Sequence, residues 1–331
     1  MNKILITGFA GFIGSTLVRQ LRGQFQIVAI DNFTDFSNTE IKKARAKDIG
    51  YRTGSTAEVD GVTFIHADIC DVAAIQQVFA THNFDAVIHL AALTGVRQTL
   101  QSPQAYIDVN VQGFLNILEC VKMHGIKKVI YASSSSVYGL NEEVPYAENQ
   151  KTDSPISVYA ASKKANELLA HTYAHLFGIN LIGLRFFTVY GEWTRPDMAA
   201  YIFMKAIYEG TPIKLFNGGK MIRDFTHVDD VVKAISILMD KLQQPAAGQH
   251  LIFNVGNHSP VFTADFLHAI ENAMGKKAIV EHQPIQPGDM PATNASTEAL
   301  YTYTGFKPDT TIHTGVQSMV KWFMNYYPTL A

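Results

Sequence analysis

Tyr159 and Lys163 stand four residues apart in "SVYAASKKANE", a spacing that stacks both side chains on one face of a helix. An unperturbed tyrosine ionises near about pH 10, too high for a base at neutral pH. A neighbouring ammonium favours the phenolate, and so does the positive ring of an oxidised nicotinamide. The pair therefore reads as a catalytic base, Tyr159, with Lys163 as its electrostatic partner. Upstream, "TGFAGFIG" follows one apolar run and opens a helical pattern, placing Gly8, Gly11 and Gly14 in the turn with Phe12 and Ile13. Glycines there let the backbone approach a pyrophosphate, whose charge meets free N–H groups and the positive helix end. Asp31, followed by Asn32, closes the next apolar run. A carboxylate at that place accepts from a ribose 2′-hydroxyl and repels a 2′-phosphate, so NAD is expected rather than NADP. The third stretch is "YASSSSVYGL", with four hydroxyls and no carboxylate where an apolar strand empties into a loop.

Positioning these groups calls for a parallel sheet covered on both faces. Lys3–Thr7, Gln26–Ile30, Val62–His66, Ala86–Leu90, Lys128–Ser133 and Asn180–Phe186 read as buried strands rich in Ile, Val and Leu. Between them Phe12–Leu21, Val72–Ala80, Pro103–His124 and Val158–Phe177 carry apolar residues at helical spacing. Six strands with helical crossovers predict an α/β fold with a doubly wound parallel (Rossmann) sheet, with ligands at the carboxyl ends of the strands. From about Gly191 the texture changes to shorter elements richer in Gly and Pro, with helices near Ala199–Glu209, Val228–Leu242 and Thr263–Met274. Residues 1–190 are thus expected to form the dinucleotide-binding domain that also carries the catalytic residues. Residues 191–331 are expected to form a smaller α/β substrate-binding domain, partly interleaved with the first, with the cleft between them as the default site.

Composition removes other classes of function. With 47% hydrophobic and 17% charged residues the chain is globular rather than disordered. A net charge of -2 argues against nucleic-acid binding, and no apolar run is long enough for a membrane span. "MNKILITG" leads directly into a strand pattern, which argues against a signal peptide, and two cysteines, Cys70 and Cys120, fit a reducing cytoplasm.

Glycine loop, serine cluster and Tyr159-x-x-x-Lys163 together resemble the extended short-chain dehydrogenase/reductase family. Within it, "DNFTDFSNTEIKKAR", "HLAALTGVRQTLQSP", "FFTVYGEWTRPDMA", "NGGKMIRDFTHVDD" and "QPGDMPAT" resemble the UDP-glucuronate 4-epimerases, with "RPDMA" the most specific phrase. Glu192 and Thr194 depart from the Pro and Gly expected there, and Phe36 and Ser37 replace a tyrosine pair. The resemblance implies that Asp68 and Ile69 flank the adenine, that Leu90, Ala91 and Ala92 line the pyrophosphate and ribose path, and that Asn110 hydrogen-bonds nearby. It implies further that Arg223 clamps the nucleotide diphosphate, that Asp289 meets the uridine ribose, and that Ser134 bonds the sugar oxygen Tyr159 deprotonates.

The same resemblance explains the serines. Sugar-nucleotide dehydratases carry an Asp–Glu pair just before "VYG", and UDP-glucuronate decarboxylases a glutamate; here those positions are Ser135 and Ser136. Elimination lacks its acid and base, whereas simple epimerisation through a 4-keto intermediate needs neither. Ser135, Ser136 and Thr188 are expected to donate to the substrate carboxylate and resist its loss, with Arg195 adding positive charge. Rival readings are a neutral UDP-hexose 4-epimerase, a UDP-glucuronate decarboxylase, or a dinucleotide-binding sensor without turnover. Relatives commonly dimerise through the helices at 103–124 and 158–177, so a homodimer is implied. Glu167, His171 and His175 share a helix face, read as solvated or at an interface rather than as a metal site, and His89 reads as a satisfied buried histidine.

Overall fold

The computed structural model describes residues 2–330 apart from 35, 37, 53–57, 96–97, 243–247 and 285–290. The chain forms two compact units. One comprises residues 1–141, 149–185 and 235–253; the other comprises 142–148, 186–234 and 254–331.

The first unit is built on β1 (Lys3–Thr7), β2 (Gln26–Asp31), β3 (Val62–His66), β4 (Ala86–His89), β5 (Lys128–Ser134) and β6 (Asn180–Phe186). These runs are strands because β-branched and aliphatic side chains cover both faces of a buried sheet; every residue of β6 is buried. Crossovers are supplied by α1 (Phe12–Leu21), α2 (Thr39–Asp48), α3 (Val72–Thr81), α4 (Pro103–Tyr106), α5 (Gly113–Met123) and α6 (Val158–Phe177). The second unit contributes β7 (Thr188–Tyr190), β8 (Pro212–Phe216), β9 (Ile222–Arg223) and β10 (Phe225–His227), and a further strand, β11 (His250–Val255), completes the sheet at its edge. Sheet order is β11-β6-β5-β4-β1-β2-β3. The pairs β1–β2, β1–β4, β2–β3 and β4–β5 are parallel, with Thr7 opposite both Ile30 and His89. The order reverses between β1 and β4, the place where such sheets bind ligands beyond the strand ends.

Seven strands rather than six is one departure from expectation, because "HLIFNV" at 250–255 lies inside the stretch expected to form the second domain, yet pairs at the edge of the first unit's sheet. A second lies in the stretch 103–124, which is not one α-helix. Residues Ile107–Gln112 widen into a π-helical turn between α4 and α5, a feature that concentrates at functional sites. The core of this unit packs Leu5, Val28, Val87 and Val129 against Phe114, Ile117 and Val121 of α5 and Ala170 and Ala174 of α6. Each such Leu, Val, Ile or Phe stabilises the fold by about 1.5–3 kcal/mol.

The second unit also holds β12 (Val261–Phe262), β13 (Ile279–Gln283), α7 (Ala199–Glu209), α9 (Thr263–Met274), α10 (Glu298–Thr304) and α11 (Ile312–Tyr326), while α8 (Val228–Lys241) crosses from this unit into the first. Among the described residues its strands make two-stranded pairs: β7 with β10, β8 with β13, β9 with β12. Aromatic packing fills the space between, with Phe225 and Phe266 stacked at 3.9 Å and Tyr190 set edge-on to both.

Candidate functional site

Four strand ends of the first unit bring together the residues expected to hold the cofactor. Beyond β1, Gly8 has φ +80° and its N–H donates to the Ile30 carbonyl at 2.7 Å. A Cβ on Gly8 would lie 2.8 Å from the Ala91 nitrogen, and one on Gly14 would lie 2.1 Å from the Gly8 carbonyl oxygen. Only glycine lets the turn and the first turn of α1 close this tightly. Gly11 caps α1 with no side chain and there is no acidic residue in that first turn, so its N–H groups stay available to an anion. Phe12 is buried beneath the loop and Ile13 is half-buried.

Beyond β2, the buried Asp31 carboxylate accepts from the Ala10 N–H at 3.1 Å and from the Phe33 N–H at 2.8 Å, with Lys42 Nζ 4.0 Å away. Asn32 donates to Asp68 at 2.9 Å, tying the end of β2 to the turn after β3. Burial raises the Asp68 pKa, but hydrogen bonds from Cys70 and Asn32 outweigh it, so the carboxyl sits below its ordinary range. Ile69 is buried and its carbonyl accepts from Asn116 at 2.9 Å. After β4, Leu90 and Ala91 are fixed by N–H donation to Thr7, and Leu90, Ala91 and Ala92 are all half-buried.

Asn110 acts on this path at one remove. From the π-helical turn its side chain accepts from the Leu93 N–H at 2.8 Å and donates to the Leu93 carbonyl at 3.0 Å and to Ser162 at 2.9 Å. It therefore ties the loop after β4 to α6, rather than holding a free amide towards a ligand. His89 is a buried neutral histidine, bonded to the Thr7 hydroxyl at 2.9 Å, and burial brings its pKa down to about 3. Burial, with the Asp68 charge, pushes the Cys70 thiol up to about 12, which disqualifies it as a nucleophile.

The residues expected to carry the chemistry sit at the β5 exit and on α6. Ser157 caps that helix by accepting from the Ala160 N–H, and Gly178 ends it in the left-handed conformation. Lys163 is buried and donates to the Ala132 carbonyl at 2.9 Å; burial brings its pKa from 10.5 down to about 7. Tyr159, one turn earlier, is half-buried with its ring edge-on to Tyr106.

The four serines divide their work. Ser134 accepts from both the N–H and the hydroxyl of Ser136, at 3.2 and 2.9 Å, which shapes the turn Ser135–Tyr138. Ser135 and Ser136 remain half-buried, while Ser133 turns inward and donates to Glu167 at 2.7 Å. This last contact corrects the expectation for Glu167. Its side chain is only 2% exposed and it pairs with Arg185 of β6. The buried stripe of α6, with Lys163, Asn166, Glu167, Ala170 and Ala174, explains why: position 167 faces the sheet and is not solvated. Among the described residues no group of His, Cys, Asp and Glu could hold a metal ion.

In the second unit Thr188 is half-buried and its N–H donates to the Asp224 carbonyl at 3.1 Å. Arg195 is paired with Asp197 through both its Nε and Nη2. The preceding Trp193 adopts φ +61° and packs on Tyr326 at 4.6 Å, so the departures at 192 and 194 flank an anchored aromatic. Arg223 donates to the Ile222 carbonyl at 2.8 Å. Beside it, fully buried Asp224 accepts from the N–H groups of Asn257, His258 and Ala295 at 2.6, 3.1 and 3.0 Å. Asp289 lies outside the described residues.

Residues 4–256 match the model of the NAD dependent epimerase/dehydratase family. The chain belongs to that family. Its relatives include Protein CapI of Staphylococcus aureus, 43% identical over 98% of this chain and 99% of the relative. UDP-glucuronate 4-epimerase 4 of Arabidopsis thaliana is 38% identical over 98% of this chain and 76% of the plant protein. A solved structure, the UDP-glucuronic acid 4-epimerase from Bacillus cereus in complex with UDP-glucuronic acid and NAD, superposes with a TM-score of 0.87. It is 29% identical and covers 98% of this chain and 100% of its own. The strand ends described above fit the family's cofactor, because the cradle at Gly8 and Gly14 is one a Cβ would fill and a buried carboxylate, Asp31, ends β2.

Sequence reasoning missed Arg185, Asp224 and the inward role of Ser133. The one available signal was Arg185 itself, a lone cation inside the apolar run "NLIGLRFF", which demands a buried partner.

Proposed function

We propose that this chain is an NAD-dependent isomerase that interconverts UDP-glucuronate and UDP-galacturonate by epimerisation at C4. The observation that carries the reading is the β5 exit, where Ser134 and the α6 pair Tyr159 and Lys163 meet a turn with serines and no carboxylate at 135 and 136. Tyr159 accepts the proton of the sugar 4-hydroxyl, Ser134 hydrogen-bonds the same oxygen, and Lys163 supports the phenolate from one turn along. Bound NAD would supply a reversible hydride acceptor for C4. The 4-keto sugar turns over and is reduced from its other face, and Tyr159 gives the proton back to the oxygen.

A ketone at C4 with a carboxylate at C6 is a β-keto acid, which tends to lose carbon dioxide. Ser135, Ser136 and Thr188 donate to that carboxylate, stabilising the ionised group and fixing its orientation. Arg195, itself paired with Asp197, adds nearby positive charge. Arg223 grips the nucleotide diphosphate with its guanidinium fork, and Asp289 bonds the uridine ribose. Gly8, Gly11, Phe12, Ile13 and Gly14 hold the pyrophosphate of NAD, and Asp31 and Asn32 its adenosine ribose. Asp68 and Ile69 flank the adenine, and Leu90–Ala92 line the path between, braced by Asn110.

The same reading takes the chain as a cytoplasmic homodimer paired through α5 and α6. Met123, Leu168 and Leu176 stand exposed on those helices, the two cysteines are free, and no described helix is long and apolar enough to cross a membrane. Light scattering that returned a monomer would remove the dimer.

A proton NMR time course of the purified protein with UDP-glucuronate and catalytic NAD tests the chemistry. UDP-galacturonate is expected, and Tyr159→Phe should slow its formation by about 10²–10⁴-fold. Turnover of UDP-glucose alone would move the chain to the neutral-sugar reaction. Full activity in Tyr159→Phe would refute the base.

A further inference from the structure

The mechanism above leaves a buried ion pair unused. Glu167 of α6 and Arg185 of β6 have side chains 2% and 3% exposed. Arg185 Nε donates to Glu167 Oε1 at 2.8 Å and Nη2 to Oε2 at 2.9 Å, a two-pronged geometry. The remaining contacts reach the chemistry from two sides. Ser133, directly before Ser134, donates to Glu167 Oε1 at 2.7 Å. Arg185 Nη1 meets the Tyr138 hydroxyl at 3.0 Å and the guanidinium lies over the Tyr138 ring, 4.8 Å from its centroid. Tyr138 ends the short turn that Ser134 caps.

Ser134 is thus held between two anchored neighbours, one at 133 and one at 138. On the helix side, Glu167 sits one turn beyond Lys163, which is itself fastened to the Ala132 carbonyl. Helix α6 is therefore stapled to the end of β5 at two successive turns, and Tyr159 rides on the same rigid rod. A buried ion pair is a poor stabiliser compared with well-packed apolar residues, since desolvation offsets its attraction. What this one supplies is geometry, joining β5, the turn after it, α6 and β6 at a single point.

We propose that Glu167 and Arg185, acting through Ser133 and Tyr138, are the positioning residues that hold Ser134 and Tyr159 in register for proton transfer from the sugar hydroxyl. All four are buried, at 1–2% exposure. The proposal rests on the reading of Tyr159 as the base, and a sub-ångström drift between Ser134 and Tyr159 is its predicted failure mode. Misplacement of about 1 Å at a reacting centre costs on the order of 10²-fold in rate.

Ser133→Ala and Tyr138→Phe each remove one hydroxyl and leave the ion pair intact, so both variants fold. In the holoenzyme each should lower kcat about tenfold with KM for the UDP-sugar within about twofold of wild type. The primary isotope effect with C4-deuterated substrate should rise, because hydride and proton transfer become limiting. Glu167→Gln should lower kcat about 10²-fold, and Arg185→Lys, which keeps the charge but loses the fork, should not rescue it. A readout independent of turnover is the ultraviolet titration of Tyr159, assigned by its loss in Tyr159→Phe. Its midpoint should move in Ser133→Ala and Tyr138→Phe.

Unchanged kcat, isotope effect and Tyr159 titration in those two variants would overturn the proposal and leave the ion pair a purely structural one. If the wild type turned over no UDP-glucuronate while the Tyr159 midpoint still moved, the substrate reading would fall and the positioning role would stand.

Discussion

Glu167 in the first unit and Asp224 in the second are both buried carboxylates, and they are held by different partners. Glu167 faces a guanidinium. Burial raises its pKa, but the hydrogen bonds and charge of Arg185 more than offset that and hold it below the ordinary glutamate range. Asp224 is held by neutral donors instead. It gathers backbone N–H groups from residues 257, 258 and 295 together with the Thr226 hydroxyl, and burial still leaves its pKa raised. The first arrangement locks regular elements to one another around Ser134 and Lys163. The second gathers loops that have no ladder of their own, next to Arg223, the proposed diphosphate clamp. The proposed chemistry is thus placed on the sheet unit, and the proposed substrate holding on segments tied together by one acid.

The largest expected effect that sharpens this contrast is at Lys163. A buried lysine with a pKa near 7, below the usual value, confers stability that is full above about pH 10.5 and lost as pH falls through about 7. Its charged form is therefore held against the preference of its surroundings, as the proposed role beside Tyr159 requires. Lys163→Met should cut kcat by about 10²–10⁴-fold while the melting temperature stays level or rises, read by calorimetry. A large fall in melting temperature would make Lys163 a structural residue instead.

Asp224→Asn comes next. The amide cannot accept from all four donors, and each donor left unsatisfied costs about 1–3 kcal/mol. Urea titration should report that loss. KM for the UDP-sugar should rise about tenfold, equivalent to about 1.4 kcal/mol of binding, with kcat nearly unchanged. A kcat loss at constant KM would erase the division of labour between the units.

The smallest effect is in acid. His89, buried, and His250, half-buried, belong to the first unit, and desolvation brings their pKa values down to about 3 and about 4. As pH falls below about 6.5 the unfolded chain takes up protons these sites refuse, so stability declines by up to about 1.4 kcal/mol per histidine and pH unit. Glu167 adds the same sign lower down, its contribution lost as pH falls through its depressed value. Asp224 runs the other way: its contribution is full below about pH 3.8 and is lost as pH rises through its raised value. Hydrogen exchange followed from pH 6.5 to 4 should therefore show protection lost first around β4, β5 and α6. Equal loss around residues 224, 257 and 295 would contradict the contrast.

The same contrast explains what could be read from the chain. Strands β1 to β6 and helices α1, α3 and α6 announce themselves because a sheet covered on both faces imposes continuous apolar runs and 3.6-residue stripes. The glycine loop and the Tyr159–Lys163 spacing are legible for the same reason, since local backbone geometry fixes their residue types. Helix α2 was hidden by its composition, "TEIKKARAKD", which lacks an apolar stripe. The π-helical turn at Ile107–Gln112 is set by what Asn110 must reach, not by periodicity. Asp224 sits in "IRDFTHVDD" beside two other acids, and nothing in spacing distinguishes a buried hub from a solvated aspartate. Glu167 was misread because its partner lies 18 residues away on another element.

The most direct test follows the carboxylate. UDP-glucuronate carrying a carbon-13 label at C6 is incubated with the holoenzyme and watched by carbon NMR. If serines at 135 and 136 restrain the β-keto acid, the label stays in hexuronate as UDP-galacturonate grows, and Ser135→Ala with Ser136→Ala begins to release it. Label appearing as bicarbonate from the wild type, with a pentose left on the nucleotide, would contradict the account.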